Sequence, residues 1–286
     1  MVAVLLAGTV LAAAAVAAGL YGTLVEPRRL SITRLEIASP HVPEGFDGKR
    51  IVQFSDTHVS PDFPMDRLEA LIAKLNALEP DLLVFNGDLF DSRRRNVEEN
   101  PNTSDVLSRL EAKIGKFAVY GNHDFGYNRL TRSVGPILTR AGFRVLINDL
   151  ERVHLPSGES IVLAGLDDYI LGRPKFRTVL PKLQAEDFNV LLAHEPDPAT
   201  GFTHFPVDLQ LSGHSHGGQV HLPILGALVR TKMGRQYVAG LYTLQGRFDP
   251  DRPYRLYVNR GIGTTRMRLR LGSVPEIAVF TLRRSR

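Results

Sequence analysis

Leu82-Leu83-Val84-Phe85 is an apolar run that stops at Asn86-Gly87-Asp88, and the chain uses this arrangement repeatedly. Residues 51–54 run into Ser55-Asp56-Thr57-His58, and residues 117–120 into Gly121-Asn122-His123-Asp124. Short apolar runs bounded by polar residues read as strands, and the stretches between them read as helices. Residues 65–78 place Leu68, Leu71, Ile72, Leu75 and Leu78 at helical spacing, with Asp66 and Glu69 offering a capping box. Val106, Leu107 and Leu110 mark a second helix, opened by Thr103 or Ser104. Residues 128–141 read as a third, which Gly135-Pro136 must kink or split. The second half is more strand-like, with candidates at 144–147, 161–164, 190–193, 209–211, 255–258 and 277–282. Alternation first and strands later predicts a layered α/β or α+β domain.

Residues 2–25 contain no charged side chain and are mostly Ala, Val and Leu. About 20 apolar residues match a hydrocarbon core of about 30 Å. Residues 1–26 are therefore expected to form a transmembrane anchor, and 27–286 one further domain that begins with a strand at 31–37. A cleaved signal peptide is the competing reading, since residues 15–18 have the small-residue spacing a peptidase needs. Against cleavage, the basic residues Arg28, Arg29 and Arg34 follow the apolar stretch and none precedes it. By the positive-inside rule, that order predicts a single-pass protein of the cell membrane with its domain on the cytoplasmic side.

Composition narrows the chemistry. With 43% hydrophobic and 23% charged residues, the chain is neither disordered nor fibrous. The absence of Cys excludes disulfides, zinc–thiolate centres and thiol nucleophiles. The formal net charge of +5 suits phosphate-bearing substrates or anionic lipid, and is also ordinary. No basic tract with interleaved aromatics is present and Trp is absent, so no nucleic acid partner is expected.

The strand ends carry candidate metal ligands. In open α/β sheets ligands bind beyond the carboxyl ends of strands. There this chain places Asp56, His58, Asp88, Asn122, His123, His194, His214 and His216. Singly, Asp88 could be a turn residue, His194 a core histidine and Asn122 a turn cap; together they point to metal. Imidazole and carboxylate without thiolate suit manganese, iron or zinc. Two ions about 3.5–4 Å apart need an anionic bridge, and Asp88 can offer one oxygen to each. Gly213, Gly217 and Gly218 permit the tight backbone around His214 and His216.

These blocks, with Gly213-His214-Ser215-His216, resemble the calcineurin-like metallophosphoesterases. Gly217-Gly218-Gln219, Asn259-Arg260-Gly261-Ile262-Gly263 and Pro275-Glu276-Ile277 look more narrowly like the bacterial membrane-associated branch. That branch includes enzymes assigned to phosphodiester and UDP-2,3-diacylglucosamine hydrolysis. The resemblance implies a four-layer α-β-β-α sandwich of two mixed β-sheets flanked by helices. It also implies two divalent ions, manganese first among manganese, iron, zinc and nickel. Asp56, His58 and His216 would hold one ion, Asn122, His194 and His214 the other, and Asp88 both. A bridging hydroxide would attack phosphorus, His123 would protonate the leaving group, and Asp124 would orient the His123 imidazole.

The function expected is a membrane-anchored phosphohydrolase acting on phosphodiester or pyrophosphate bonds, with a phosphate-ester substrate that is lipid-linked, such as a UDP-diacylglucosamine. The alternatives are a phosphomonoesterase or nuclease with a soluble substrate, and a metal-dependent phospholipid-binding scaffold without turnover. Four weaker features have plainer readings. Arg93-Arg94-Arg95 reads as a substrate contact or a solvated loop, and 259–264 as a phosphate cradle or a Gly turn. The apolar stretch 222–229, followed by Arg230 and Lys232, reads as buried packing or a membrane-facing lip. Asp167-Asp168 is left out of the metal site.

Overall fold

The computed structural model describes residues 1–91, 102–126, 131–222 and 224–285, so Arg93-Arg94-Arg95 lies outside the described residues. In chain order the strands are β1 (Ser31–Ser39), β2 (Arg50–Phe54), β3 (Leu82–Phe85), β4 (Gly115–Ala118), β5 (Arg144–Val145), β6 (Asp149–His154) and β7 (Ser160–Gly165). They continue as β8 (Asn189–Leu192), β9 (Leu209–Ser212), β10 (His221–Leu222), β11 (Gly226–Ala227), β12 (Gly240–Leu244), β13 (Tyr254–Val258) and β14 (Glu276–Arg284). The helices are α1 (Val2–Leu20), α2 (Met65–Asn76), α3 (Thr103–Ser108), α4 (Gly135–Arg140), α5 (Phe176–Val179) and α6 (Ala199–Phe202).

Two six-stranded sheets form, ordered β1-β14-β2-β3-β4-β5 and β12-β13-β9-β8-β7-β6, and β10 and β11 make a separate hairpin. In the first sheet β2 to β5 run parallel, and β14 is antiparallel to β2. In the second, β7, β8, β9 and β13 run parallel, and β6 and β12 are antiparallel edges. Both sheets are mixed, as expected.

Strands buried on both faces read as near-continuous apolar runs; β3, β8 and β9 are buried throughout, with Asn189, Gln210 and Ser212 the polar positions among them. Ile51, Leu82, Val84 and Val119 of one sheet share a core with Leu163, Val190, Leu192 and Leu211 of the other. On the far face of the first sheet, Leu68, Leu71, Ile72 and Leu75 of α2 pack with Val52, Phe54, Leu83 and Phe85. On the far face of the second, Val179 and Phe202 of the short helices join Val162, Leu191 and Val258. Four layers result, the last of them thin. Truncating a core leucine such as Leu192 to Ala would cost about 2–5 kcal/mol.

Local departures from expectation have physical causes. No side chain caps α2: Pro64 is its N-cap and Asp66 lies in the first turn, so the capping box does not form. Residues 131–134 are not helical, and α4 begins at Gly135-Pro136 instead of being kinked there. Proline suits a first turn, where its missing N–H has no partner to lose. Residues 128–130 lie outside the described residues.

The apolar helix runs on past α1 through a wide turn at Tyr21–Val25 and a tight one at Glu26–Arg28. Val4–Arg28 is long and apolar enough to cross a membrane. Leu5, Leu11 and Val16 of α1 are exposed, but Gly22 and Glu26 are buried. The Gly22 carbonyl accepts the Arg270 N–H at 2.9 Å. A Cβ at Gly22 would lie 2.9 Å from the backbone carbonyl oxygen of Arg270, so the contact requires glycine. The Glu26 carboxylate accepts the backbone N–H groups of Gly272 at 3.1 Å and Ser273 at 2.6 Å. Both residues lie on the anchor side of the boundary expected at residue 26.

Candidate dimetal site

Asp56 and His58 follow β2, Asp88 follows β3, and Asn122 and His123 lie beyond β4. His194 follows β8, and His214 and His216 follow β9. The carboxyl ends of parallel strands from both sheets thus deliver one cluster. Asp56, His58, Asp88, His194, His214 and His216 are buried.

The backbone there is left-handed at five of these residues. Asp56, His58, Asp88, His214 and His216 have φ of 52°, 44°, 61°, 69° and 53°. Such conformations cost on the order of 1–3 kcal/mol each in a non-glycine residue and persist only where neighbours over-determine them. Here the Asp56 N–H donates to the Gly87 carbonyl at 2.8 Å, and the His58 N–H to the Asp88 carbonyl at 3.1 Å. The Ile262 and Gly263 N–H groups donate to the Ser55 and Asp56 carbonyls at 3.1 and 2.7 Å. Segment 259–264 therefore braces Asp56, and these N–H groups are not free for a phosphate. Glycine is required opposite the ligands: a Cβ on Gly121 would overlap Asp88 Oδ1 and the His194 ring.

The candidate ligand atoms converge in three overlapping groups, one of them His58–Asp88–His123. In Asp56–His58–His216 and in Asp88–His194–His214 the atoms lie within 4.8 Å of one another. Asp88 Oδ2 stands 3.3 Å from His194 Nε2 and 3.5 Å from His58 Nε2, between the two groups as a bridge must be. His58 Nε2 and His216 Nε2 face each other at 3.0 Å. The far nitrogens are tied to acceptors: His194 Nδ1 donates to the Asn86 carbonyl at 2.5 Å, and His214 Nε2 to the Lys232 carbonyl at 2.7 Å. That fixes His194 Nε2 and His214 Nδ1 as the atoms offered inward. The buried Asn122 Oδ1 makes no hydrogen bond among the described residues. Facing nitrogens, a central carboxylate and an unsatisfied amide oxygen fit two divalent cations.

Electrostatics agrees. Burial pushes His58 down to about 3 and, with His194 beside it, His214 to about 4. Burial, His58 and Arg270 hold His216 well below its usual range. All three are neutral near pH 7, as metal ligation demands. Burial raises Asp88, but His194, His123 and His58 more than offset it and hold the carboxyl well below the usual range. Burial pushes Asp56 up to about 6 against the pull of His194.

His123 and Asp124 differ from the expected pairing. The Asp124 carboxylate accepts backbone N–H groups of Asp88 at 2.9 Å, Leu89 at 2.8 Å and Gly121 at 2.8 Å. It locks the β3 and β4 loops together rather than orienting an imidazole. The carboxylate beside His123 Nδ1 is Asp91 Oδ1, at 3.5 Å. Asp91 is absent from the sequence reading above, although it sits three residues past Asp88. Also unforeseen was Arg270, fully buried, with Nη2 3.3 Å from His216 Nδ1. Asp167 pairs with Arg132 at 2.5 Å, and Asp168 Oδ2 accepts the N–H groups of Ile170 and Gly172, so this pair serves a turn. A cavity of about 210 Å³ opens over the cluster, with Asn122, His123, Thr231, Lys232 and Arg266 in its walls.

Two mixed sheets with a convergent Asp/His/Asn cluster at their strand ends define a metal-dependent hydrolase of the dinuclear class. The sequence profile of the calcineurin-like phosphoesterases matches residues 49–218, and the chain belongs to that family. The uncharacterized metallophosphoesterase YkuE of Bacillus subtilis is 40% identical over 96% of this chain and 94% of its own. UDP-2,3-diacylglucosamine pyrophosphatase LpxG of Chlamydia muridarum is 28% identical over 95% of each chain. Haemophilus influenzae NAD nucleotidase superposes with a TM-score of 0.52 at 14% identity, over 75% of this chain and 51% of that one. This last likeness is of fold alone. The protein is a metallophosphoesterase, a hydrolase of phosphoester bonds.

Proposed function

We propose that this chain is a membrane-anchored dimetal phosphohydrolase that cleaves a phosphodiester or pyrophosphate bond in a lipid-linked substrate of the UDP-diacylglucosamine type. The observation that carries this reading is the contact between Gly22 and Arg270. It sets the end of the membrane-length helix against the same buried arginine that touches His216. The similarity to LpxG supports the substrate class. Arg28, Arg29 and Arg34 beyond the helix favour the cytoplasmic side.

Asp56, His58 and His216 would hold one cation, Asn122, His194 and His214 the other, and Asp88 both. Manganese is the first choice for this donor set. When bound, the pair supplies Lewis acidity and an acidified water. His123 lines the cavity and carries the proton for the departing oxygen, with Asp91 holding its far nitrogen. Lys232 and Arg266 in the cavity wall offer positive charge to the phosphoryl oxygens. The test is a comparison of purified, manganese-loaded protein on a soluble phosphodiester and on a UDP-diacylglucosamine carried in vesicles. Turnover of both is expected, and a metal-loaded protein that leaves the vesicle-borne substrate intact rules out the lipid-linked assignment.

A further inference from the structure

The hairpin of β10 and β11 carries apolar side chains that the described residues leave unpacked. Ile224 is 105% exposed, Leu225 68% and Leu228 54%. Ile224 also has a left-handed φ of 71°, a conformation that Gly or Asn adopts far more readily than a β-branched residue. An exposed turn selected only for its backbone would not put isoleucine there. The plainer expectation of buried packing for 222–229 is overturned at these three side chains.

The base of the hairpin shows what the tip faces. The His221 N–H donates to the Leu271 carbonyl at 2.7 Å, and Leu271 is the neighbour of Arg270, whose N–H donates to Gly22. Two consecutive residues therefore hold the end of the apolar helix and the start of the hairpin. Gly22 precedes Arg28, the first arginine beyond the helix, by six residues, about 9 Å at 1.5 Å per residue. The loop at 269–271 thus meets the helix on the apolar side of its first positive charge. Arg28, Arg29 and Arg268 line one groove at the helix end, Arg268 paired there with Asp62, and exposed Arg230 follows the hairpin in sequence. Exposed apolar side chains on a segment tied to a helix end that carries cations complement an interface of acyl chains under anionic headgroups. On its other flank the hairpin continues into Thr231 and Lys232, which wall the metal cavity.

We infer that the hairpin, through Ile224 and Leu225 at its tip and Leu228 just after β11, is a second membrane contact, dipping into an anionic bilayer and seating the metal cavity beside the lipid surface. The inference rests on the anchored reading above. Because the chain has no Trp, an Ile224→Trp protein carries a single fluorophore at the tip. The full-length protein is reconstituted into phosphatidylcholine–phosphatidylglycerol vesicles with brominated acyl chains, and flotation reports the anchor separately. A Ser157→Trp protein, labelled in the turn between β6 and β7 far from the strand ends that form the site, is the reference. Ile224→Trp emission should be blue-shifted and quenched at least about twofold relative to unbrominated vesicles. Ser157→Trp emission should show neither change. As a second readout, the Ile224→Ser/Leu225→Ser protein should keep its rate on bis-p-nitrophenyl phosphate and lose rate on vesicle-borne substrate. Floating protein whose Ile224→Trp emission matches that of Ser157→Trp overturns the inference alone. Failure to float overturns the anchored reading, and the inference with it.

Discussion

Glu26 accepts the backbone N–H of Ser273 at 2.6 Å, and the Ser273 hydroxyl donates to the carbonyl of His216 at 2.8 Å. An acid at the foot of the apolar helix is thereby two hydrogen bonds from a proposed metal ligand held at a left-handed φ. Outer partners of ligands typically matter by 10–100-fold in metal affinity. Glu26→Ala should therefore weaken manganese binding by about tenfold, read by competition with a chromogenic chelator. Unchanged affinity would show that the 272–273 turn holds His216 without help from the helix.

Asp88 and Asn122 should respond unequally to removal. Asp88 lies between both ligand groups and is the charge expected to serve two ions, whereas Asn122 offers a neutral oxygen to one. Asp88→Asn should lose more bound metal than Asn122→Ala, measured by elemental analysis after gel filtration. Two ions per chain in Asp88→Asn would remove Asp88 as the bridge.

His123 separates binding from turnover. His123→Asn should keep both ions and lose about 10²–10⁴-fold in kcat on substrates with poor leaving groups. On p-nitrophenyl esters, whose leaving group needs little protonation, the loss should shrink. Asp91→Asn should show the same dependence on leaving group with a smaller amplitude, since it acts only through the imidazole. Equal losses on good and poor leaving groups would assign His123 to charge stabilisation alone.

Metal affinity should rise with pH from 5 to 7. In the metal-free protein burial holds Asp56 protonated up to about pH 6, and Asp88 and Asp56 outweigh burial to hold His194 protonated well above its usual range. Each must release a proton to bind a cation. The sign is therefore tighter binding at higher pH, about tenfold per unit below pH 6 from Asp56 alone. His58 and His214, already neutral above about 3 and 4, add nothing to this window. Affinity independent of pH between 5 and 7 would contradict the Asp56 assignment.

Much of this was legible in the chain. Residues 82–85 form β3 with the bounds expected, because a strand buried on both faces reads as a near-continuous apolar run. The edge strands β6 and β12 are not legible: Asp149–His154 has only Leu150 and Val153 as apolar residues, three apart, so it lacks the period-2 pattern and forms by pairing with β7. Motif residues of the site could be named because their spacing follows strand ends. Asp91, Glu26 and Arg270 could not be placed by spacing, since each acts through contacts between segments far apart in sequence. Asp124 is hard to place for the opposite reason. Its neighbour in sequence is His123, but its carboxylate turns away to backbone N–H groups of another loop.

The central claim is that the Asp/His/Asn cluster hydrolyses phosphodiesters through two bound cations. Its most direct test is hydrolysis of bis-p-nitrophenyl phosphate by the full-length protein, titrated with manganese while bound metal is counted. Turnover should rise as the second ion is filled, and Asp88→Asn should abolish it. A protein that holds two ions per chain and releases no p-nitrophenol would contradict the account.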